Sequence, residues 1–433
     1  MHIGIQTWGS DGDIRPLIAL GGGLRAAGHE VTVAVSSVDD TDYSSLCKTL
    51  DLQYIKISDY SDIDWVSIDK KSAKANAVRQ LKMILEYGFY PYQEAMYQIA
   101  TQLCQCSDVV IGHPFVYPLK MAAIKTKTPF MTATLFPMLV PTAYRPPGVF
   151  PNLAPSVLPN LGKMLNVFIW KIGTVILDVA LKKDIQRFWL QKGLPPFKHV
   201  ATEAWCSEKL NLIAVSPVLC EQLPDWGTRY RVCGYFHFPD TAEPWTMPSE
   251  LRDFLDAGAP PVYMTFGSDM STFKAENNMV LLVTAAQQAG CRALIQTIPE
   301  LEDQYPINTR HKDNENIYFT GQTPYQKIFP HCVAVVHHGG IGTTHLVLQH
   351  GCPSVVVPFI EEQLFWGSEL HRIGVASKPL SRKKATPEKL AQEIRLVLYS
   401  QAIRTRATEF GEKMRQEDGV ARAVELVQNI LIM

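Results

Sequence analysis

Val333 to Gly367 reads VAVVHHGGIGTTHLVLQHGCPSVVVPFIEEQLFWG, and the order of its parts decides the fold. A β-branched run ends in His337-His338, a loop containing Gly339, Gly340 and Gly342 follows, and Thr343 opens a helix that runs to about His350 before Gly351 stops it. A second β-branched run, Ser354 to Val357, ends at Pro358-Phe359. Strand, glycine loop, helix, strand is a βαβ unit. It implies a parallel sheet whose loop stands at the carboxyl end, where open α/β sheets bind ligands. Glycine lets backbone approach an anion, first-turn amides are unpaired donors, and the helix dipole adds about 0.3–1 kcal/mol. The loop therefore reads as a phosphate cradle, with a strand-end histidine as a donor that can be cationic. A turn with glycines for packing alone would leave the His pair and Thr343-Thr344 unexplained.

The same grammar recurs upstream. Val262–Phe266 is a strand, Gly267–Thr272 a polar loop, Ala275–Ala289 a helix closed by Gly290, and Arg292–Thr297 a strand. At the N-terminus His2–Thr7 is apolar, Trp8–Asp13 polar, and Pro16 sits where a first helical turn tolerates it. Gly28 supplies the stop and Glu30–Val35 the next strand, with Gly21, Gly22 and Gly23 letting the helix lie close on a sheet. Thr7-Trp8-Gly9-Ser10-Asp11 and Thr265-Phe266-Gly267-Ser268-Asp269 both read T, aromatic, G, S, D, so each half opens with one construction. Gly234–Pro248, with Pro239, Pro244 and Pro248, suits a linker. The expected organisation is an N-terminal domain over 1–235, a linker over 236–248, and a C-terminal domain over 249–433 ending in a helical tail from Pro387.

Composition agrees. The 433 residues exceed what one hydrophobic core serves, and 46% apolar with 19% charged residues describes a packed globular chain. A formal charge of −1 provides no field for nucleic acid or anionic lipid, so a charged ligand must be held locally. Nine cysteines, with only Cys104 and Cys106 as a lone C-x-C, suggest reduced thiols and no metal site. Met1–Thr7 runs straight into a strand pattern without a basic region or cleavage site, so no secretory signal is read and the expected location is the cytosol. Met164–Leu181 is the most apolar helical stretch. Interrupted by Lys171 and Asp178, it is expected to fall short of a membrane span, yet it suits a pocket wall or contact with a membrane face.

HHGGIGTT followed by PFIEEQLFWG resembles the donor-site signature of family 1 glycosyltransferases. TWGSDGDIRPLIALGGGLRAAGHEV is similar to the GSRGDVQP opening of the sterol and glycopeptide glucosyltransferase branch, and Val262–Ser268 resembles its PVYVGFGS block. Trp189–Pro196, WLQKGLPP, also resembles that branch, and only about 40–185 matches weakly. The resemblance implies an α/β protein of the GT-B fold: two facing Rossmann-like domains with parallel sheets and an interdomain cleft, the first binding the acceptor and the second the nucleotide sugar. It maps the branch's general base onto Asp13, the diphosphate histidine onto His337, the following Gly-Thr onto Gly342 and Thr343, and the sugar-contacting pair onto Glu362 and Gln363. Ser10, Gly12, Ser268, Gln322, Gly339 and Gly340 complete the expected donor set. The implied activity is inverting transfer of a hexose, most simply glucose, from a UDP-sugar to a hydroxyl of a hydrophobic small molecule such as a sterol, terpenoid, polyketide or phenol. The UDP-sugar is a co-substrate, with no cofactor.

The chemistry can be read from the residues as well. Inverting transfer is a single displacement at the anomeric carbon, needing a base on one side and leaving-group stabilisation on the other. Asp13 supplies the first, and His337 with the loop amides the second. No D-x-D in the second half stands ready to hold a divalent metal. Two departures bear on the mapping: Asp11 stands where the branch has Arg, and Glu362 replaces its Asp. His113, in a Gly-His-Pro turn after the strand Asp108–Ile111, is a second catalytic candidate as partner or substitute for Asp13. Phe136, Tyr144, Phe168 and Trp170 are the acceptor-wall candidates. Two rivals stand beside this reading. One is a nicotinamide-dependent oxidoreductase, since Gly340-Ile341-Gly342 with Glu361 imitates a dinucleotide fingerprint, although His345 takes the place of its third glycine. The other is a non-catalytic sugar-nucleotide or lipid-binding protein.

Overall fold

A computed structural model describes residues 1–57, 63, 77–148, 159–238, 245–267 and 275–432. The chain divides into two compact units, residues 1–242 with 418–433, and residues 243–417. In the first, β1 (His2–Gly9), α1 (Asp11–Ala26), β2 (Glu30–Ser37), α2 (Ser44–Thr49) and β3 (Gln53–Lys56) are followed by α3 (Ala77–Gly88), α4 (Gln93–Cys106) and β4 (Val109–Gly112). Then come α5 (Tyr117–Thr126), β5 (Phe130–Thr134), α6 (Pro159–Gln191), β6 (Asn211–Ile213) and β7 (Tyr230–Val232). The seven strands run parallel in the order β3-β2-β1-β4-β5-β6-β7. The order reverses direction at β1/β4, so the loops after these two strands diverge at a switch point and leave a crevice there.

The second unit contains α7 (Ser249–Asp256), β8 (Val262–Met264), α8 (Ala275–Ala289), β9 (Ala293–Gln296), β10 (Thr309–His311) and β11 (Asn314–Thr320). It continues through α9 (Tyr325–Ile328), β12 (Ala334–His337), α10 (Ile341–Gln349), β13 (Ser354–Val356), α11 (Glu361–Arg372), α12 (Pro387–Tyr399) and α13 (Gln401–Arg415). Its sheet order is β10-β11-β9-β8-β12-β13, parallel except for the β10–β11 pair. The near-continuous apolar strands are explained by burial on both faces. Met264, Ile295, Val336 and Val355 enter one core, and their neighbours Tyr263, Leu294 and Val335 enter the other.

Three expectations need correction. The tail does not stay with the second unit throughout, because α14 (Gly419–Ile432) packs on α1 in the first. The reason lies in two of the three helix glycines. Gly21 faces Val33 and Ile5 of the sheet, whereas a Cβ on Gly23 would stand 2.2 Å from Val420, so Gly23 makes room for α14. Pro16 is not in a first turn. The helix begins at Asp11, Pro16 is buried in its interior, and the hydrogen bond it would make to the Gly12 carbonyl cannot form. Finally, α6 is by length and composition long and apolar enough to cross a membrane, the one such helix among the described residues. Lys171 and Asp178 do not shorten it, because both are accommodated on a continuous helix. Residues 239–244 of the expected linker lie outside the described residues.

Candidate active site

In the first unit the carboxyl ends of β1, β4 and β5, neighbours in the sheet, bring together Asp13, His113 and Phe136. Gly9 ends β1 at φ 137°, and a Cβ there would fall 2.3 Å from the Asp13 carboxylate, so glycine is required for the carboxylate to lie over the strand end. Asp13 Oδ2 accepts hydrogen bonds from the Ser10 amide (3.0 Å) and from the Ser10 hydroxyl (3.2 Å). Those bonds pull its pKa down, but burial outweighs them and raises the carboxyl to about 6. The Ser10 hydroxyl, expected at the donor, is thus turned onto Asp13, with Gly12 in the same first turn of α1.

His113 Nε2 approaches Asp13 Oδ1 at 3.8 Å. Its Nδ1 accepts from the Phe115 amide at 3.3 Å, which places the ring proton on Nε2, facing the carboxylate. Burial lowers this histidine to about 3, so it is a neutral donor. Asp11 is placed differently: it accepts from the Tyr43 hydroxyl at 3.0 Å and lies 3.9 Å from Arg15, with its side chain 53% exposed. Of the two acids, Asp13 is the one beside His113.

Aromatic rings flank His113, with Phe115 edge-on at 5.1 Å. Phe136 meets His113 edge-on at 5.7 Å and stacks on Phe115 at 5.8 Å, while Trp8 and Trp205 contact Phe115. Phe115 and Trp205 were not among the sequence candidates. Phe115 immediately follows the Gly-His-Pro turn, whereas Trp205 had no local signal. The other acceptor candidates are not in this group. Tyr144 is surface-exposed beneath the Lys163 ammonium, Trp170 donates its indole N–H to the Arg145 carbonyl, and Phe168 points outward, 60% exposed.

In the second unit β8, β12 and β13 are neighbours, and the glycine loop after β12 stands at the carboxyl end of the sheet, where the cradle was expected. Gly340 is the N-cap of α10, so the amides of Ile341, Gly342 and Thr343 are the unpaired first-turn donors. Gly339 has φ 97°, and a Cβ there would stand 2.7 Å from the Gln363 carbonyl and 2.8 Å from Val356. Gly339→Ala should therefore destabilise the protein by about 2–4 kcal/mol, read from the denaturant midpoint. His337 is fully buried at the end of β12. Its Nδ1 accepts from the Gly339 amide at 3.2 Å, while its buried Nε2 has no hydrogen-bond partner. Burial, reinforced by neighbouring His338, lowers its pKa to about 3. The expectation of a cationic donor is corrected: His337 presents a neutral N–H.

His338, missed as a site residue, is also buried and lowered to about 4, and its ring covers Gly267 and Gly340 so closely that a Cβ on either would clash. The expected sugar pair is partly engaged in bracing. Glu362 accepts the Trp366 indole N–H at 2.8 Å, and Gln363 Oε1 accepts from the Phe359 amide at 2.7 Å. Gln322 is exposed in the loop after β11, and Ser268 lies outside the described residues. No group of three metal-ligating side chains occurs among the described residues.

Residues 298–431 match the erythromycin biosynthesis protein CIII-like C-terminal domain. The chain is 26% identical to the O-mycaminosyltylonolide 6-deoxyallosyltransferase of Streptomyces fradiae, over 99% of this chain and 97% of that protein. It is 25% identical to a sterol 3-beta-glucosyltransferase of Arabidopsis thaliana, over 98% of this chain and 67% of that one. A sterol 3-beta-glucosyltransferase of Saccharomyces cerevisiae is 26% identical, but the chain spans only 35% of its length. Among solved structures, the glycotransferase of kitacinnamycin matches with TM-score 0.69 at 17% identity, covering 99% of both chains. Glycosyltransferase VinC in complex with DTDP matches at 0.66 and 18% identity, covering 100% of both. These relatives lend no support to an oxidoreductase. The chain therefore has the GT-B fold, its residues 298–431 match an erythromycin biosynthesis protein CIII-like C-terminal domain, and the proteins it is similar to along nearly its whole length are sterol and macrolide glycosyltransferases.

Proposed function

We propose that the chain transfers a hexose, with inversion, from a nucleoside diphosphate sugar to a hydroxyl of a hydrophobic small molecule, with Asp13 as general base. The observation that carries this reading is a carboxylate only 22% exposed and raised to about 6, beside the neutral N–H of His113, whose ring is flanked by Phe115 and Phe136. A carboxylate of that pKa is ionised at neutral pH yet a stronger base than an exposed aspartate. In the displacement it takes the acceptor's hydroxyl proton as the acceptor oxygen bonds to the anomeric carbon. The bond from that carbon to the diphosphate oxygen breaks, and the nucleoside diphosphate leaves with the electron pair. Its charge falls to the α10 amides and the His337 Nε2–H, donors fixed before the reaction begins. Base and cradle stand on separate units, and the mechanism calls on each for its own half of the displacement.

The relatives' names include both glucose and 6-deoxyallose transfer, and VinC was solved with DTDP, so the nucleotide and sugar are the details an assay must assign. UDP-glucose is the first donor to test. Purified protein, incubated with UDP- and TDP-sugars against sterols, macrolactones and phenols, should yield an acceptor product heavier by one sugar in mass spectrometry. Absence of any glycoside across the panel, with only donor hydrolysis, would count against transfer.

His113 is proposed as a positioning residue: its Nε2–H, without a hydrogen-bond partner, stands 3.8 Å from Asp13 Oδ1 and favours the ionised carboxylate through space. His113→Ala should move the acid limb of the kcat/KM profile to higher pH and lower turnover by roughly 10–100-fold, and His113→Asn should restore part of both. An unmoved limb would deny the coupling.

A further inference from the structure

Helix α6 carries apolar residues on two opposite sides. Asn166, Trp170, Leu181, Ile185 and Phe188 turn toward the body: the Asn166 amide and the Trp170 indole donate to the Ala143 and Arg145 carbonyls, and Leu181, Ile185 and Phe188 enter the core. At about 100° per residue, Met164, Phe168, Ile172, Val175 and Val179 fall on the other side in one stripe about 22 Å long. All five are solvent-exposed, Met164 at 74% and Val179 at 81%. A helix apolar all round is ordinarily enclosed, and a contiguous exposed stripe marks an interaction surface.

The charges beside the stripe select its occupant. Lys163 stands at one end, Lys183 and Arg187 at the other, and Lys171 along its edge, all exposed. Of the helix's acids, Asp178 bonds His199 and the Val200 amide, and Asp184 pairs with Arg187 and offsets its charge, which leaves Lys163, Lys171 and Lys183 as the flanking cations. A two-fold pairing of this helix with its copy in antiparallel register would bring like-charged flanks together, whereas anionic headgroups complement them. Because its inner side is bonded to the first unit from Asn166 to Phe188, α6 is held against the body rather than free to cross a bilayer. We infer that α6 is a surface-lying membrane anchor, its apolar stripe seated at the headgroup boundary of a bilayer bearing anionic lipids.

The test is flotation of the full chain with vesicles of phosphatidylcholine, with and without phosphatidylserine. The chain should float with the anionic vesicles and far less with the neutral ones. Replacing Ile172, Val175 and Val179 together by Asp should weaken flotation by roughly tenfold or more, and Lys171→Glu with Lys183→Glu should abolish the preference for phosphatidylserine. Circular dichroism and the thermal midpoint check folding; if the triple variant unfolds, Val179→Asp alone serves. A chain that floats with neither vesicle, or an Asp variant that floats as well as the parent, would overturn the inference. So would a parent that sediments as a dimer and becomes monomeric in the Asp variant, because the stripe would then join two copies.

Discussion

Asp13→Asn should lower turnover by roughly 10²–10⁴-fold while leaving the affinity for the nucleoside diphosphate within about twofold of the parent. The proposed base, Asp13, is on the first unit and the proposed cradle on the second, so losing one should spare the other. In the parent, kcat/KM should rise with pH through an inflection near 6, because the base must be ionised to accept a proton and burial has raised its carboxyl to about that value. The same shift has a stability consequence of opposite sense. With a folded value of about 6 against 3.8 unfolded, the folded state holds the proton more tightly. Its contribution is therefore most favourable at low pH and is lost as pH rises through about 6, at a cost of at most about 3 kcal/mol. Asp13→Asn should accordingly raise the thermal midpoint at pH 8 but not at pH 3.5. Full turnover in the variant, measured by product mass, would remove Asp13 as the base.

His337→Ala should weaken binding of UDP or TDP by roughly 10–100-fold in calorimetry, the range for losing one hydrogen bond to a charged group, and should lower turnover at saturating donor. His337→Gln, which keeps an N–H donor, should recover part of the affinity. Because burial holds His337 neutral down to about pH 3, diphosphate affinity should show no step between pH 5 and 8 that disappears in the Ala variant. A step of that kind, with tighter binding toward pH 5, would mean that the histidine binds as a cation. Unaltered affinity in His337→Ala would place the diphosphate elsewhere.

Much of this arrangement was legible in the chain because the signals are local. The strand-loop-helix periods around Gly9 and Gly339 gave two parallel sheets. The matching Thr-aromatic-Gly-Ser-Asp segments gave two βαβ openings, and HHGGIGTT read as a cradle at the start of a helix. In each case the residues that determine the geometry lie within a few positions of one another, so spacing and backbone preference suffice.

What the sequence by itself determined, then, was the βαβ grammar, the glycine-lined loop and the candidacy of the acids near β1. Only the tertiary structure decided that Asp13 rather than Asp11 stands beside His113, one hundred positions away, with Phe136 and Trp205 closing the ring. It also decided that His337 is a neutral donor, that α14 returns to fill the space at Gly23, and that α6 presents an apolar side outward. The physical reason is common to all four. Solvent exclusion at a residue depends on which distant segments pack over it, and it is that exclusion which shifts a proton equilibrium, fills a gap beside a glycine or leaves a leucine-like face uncovered.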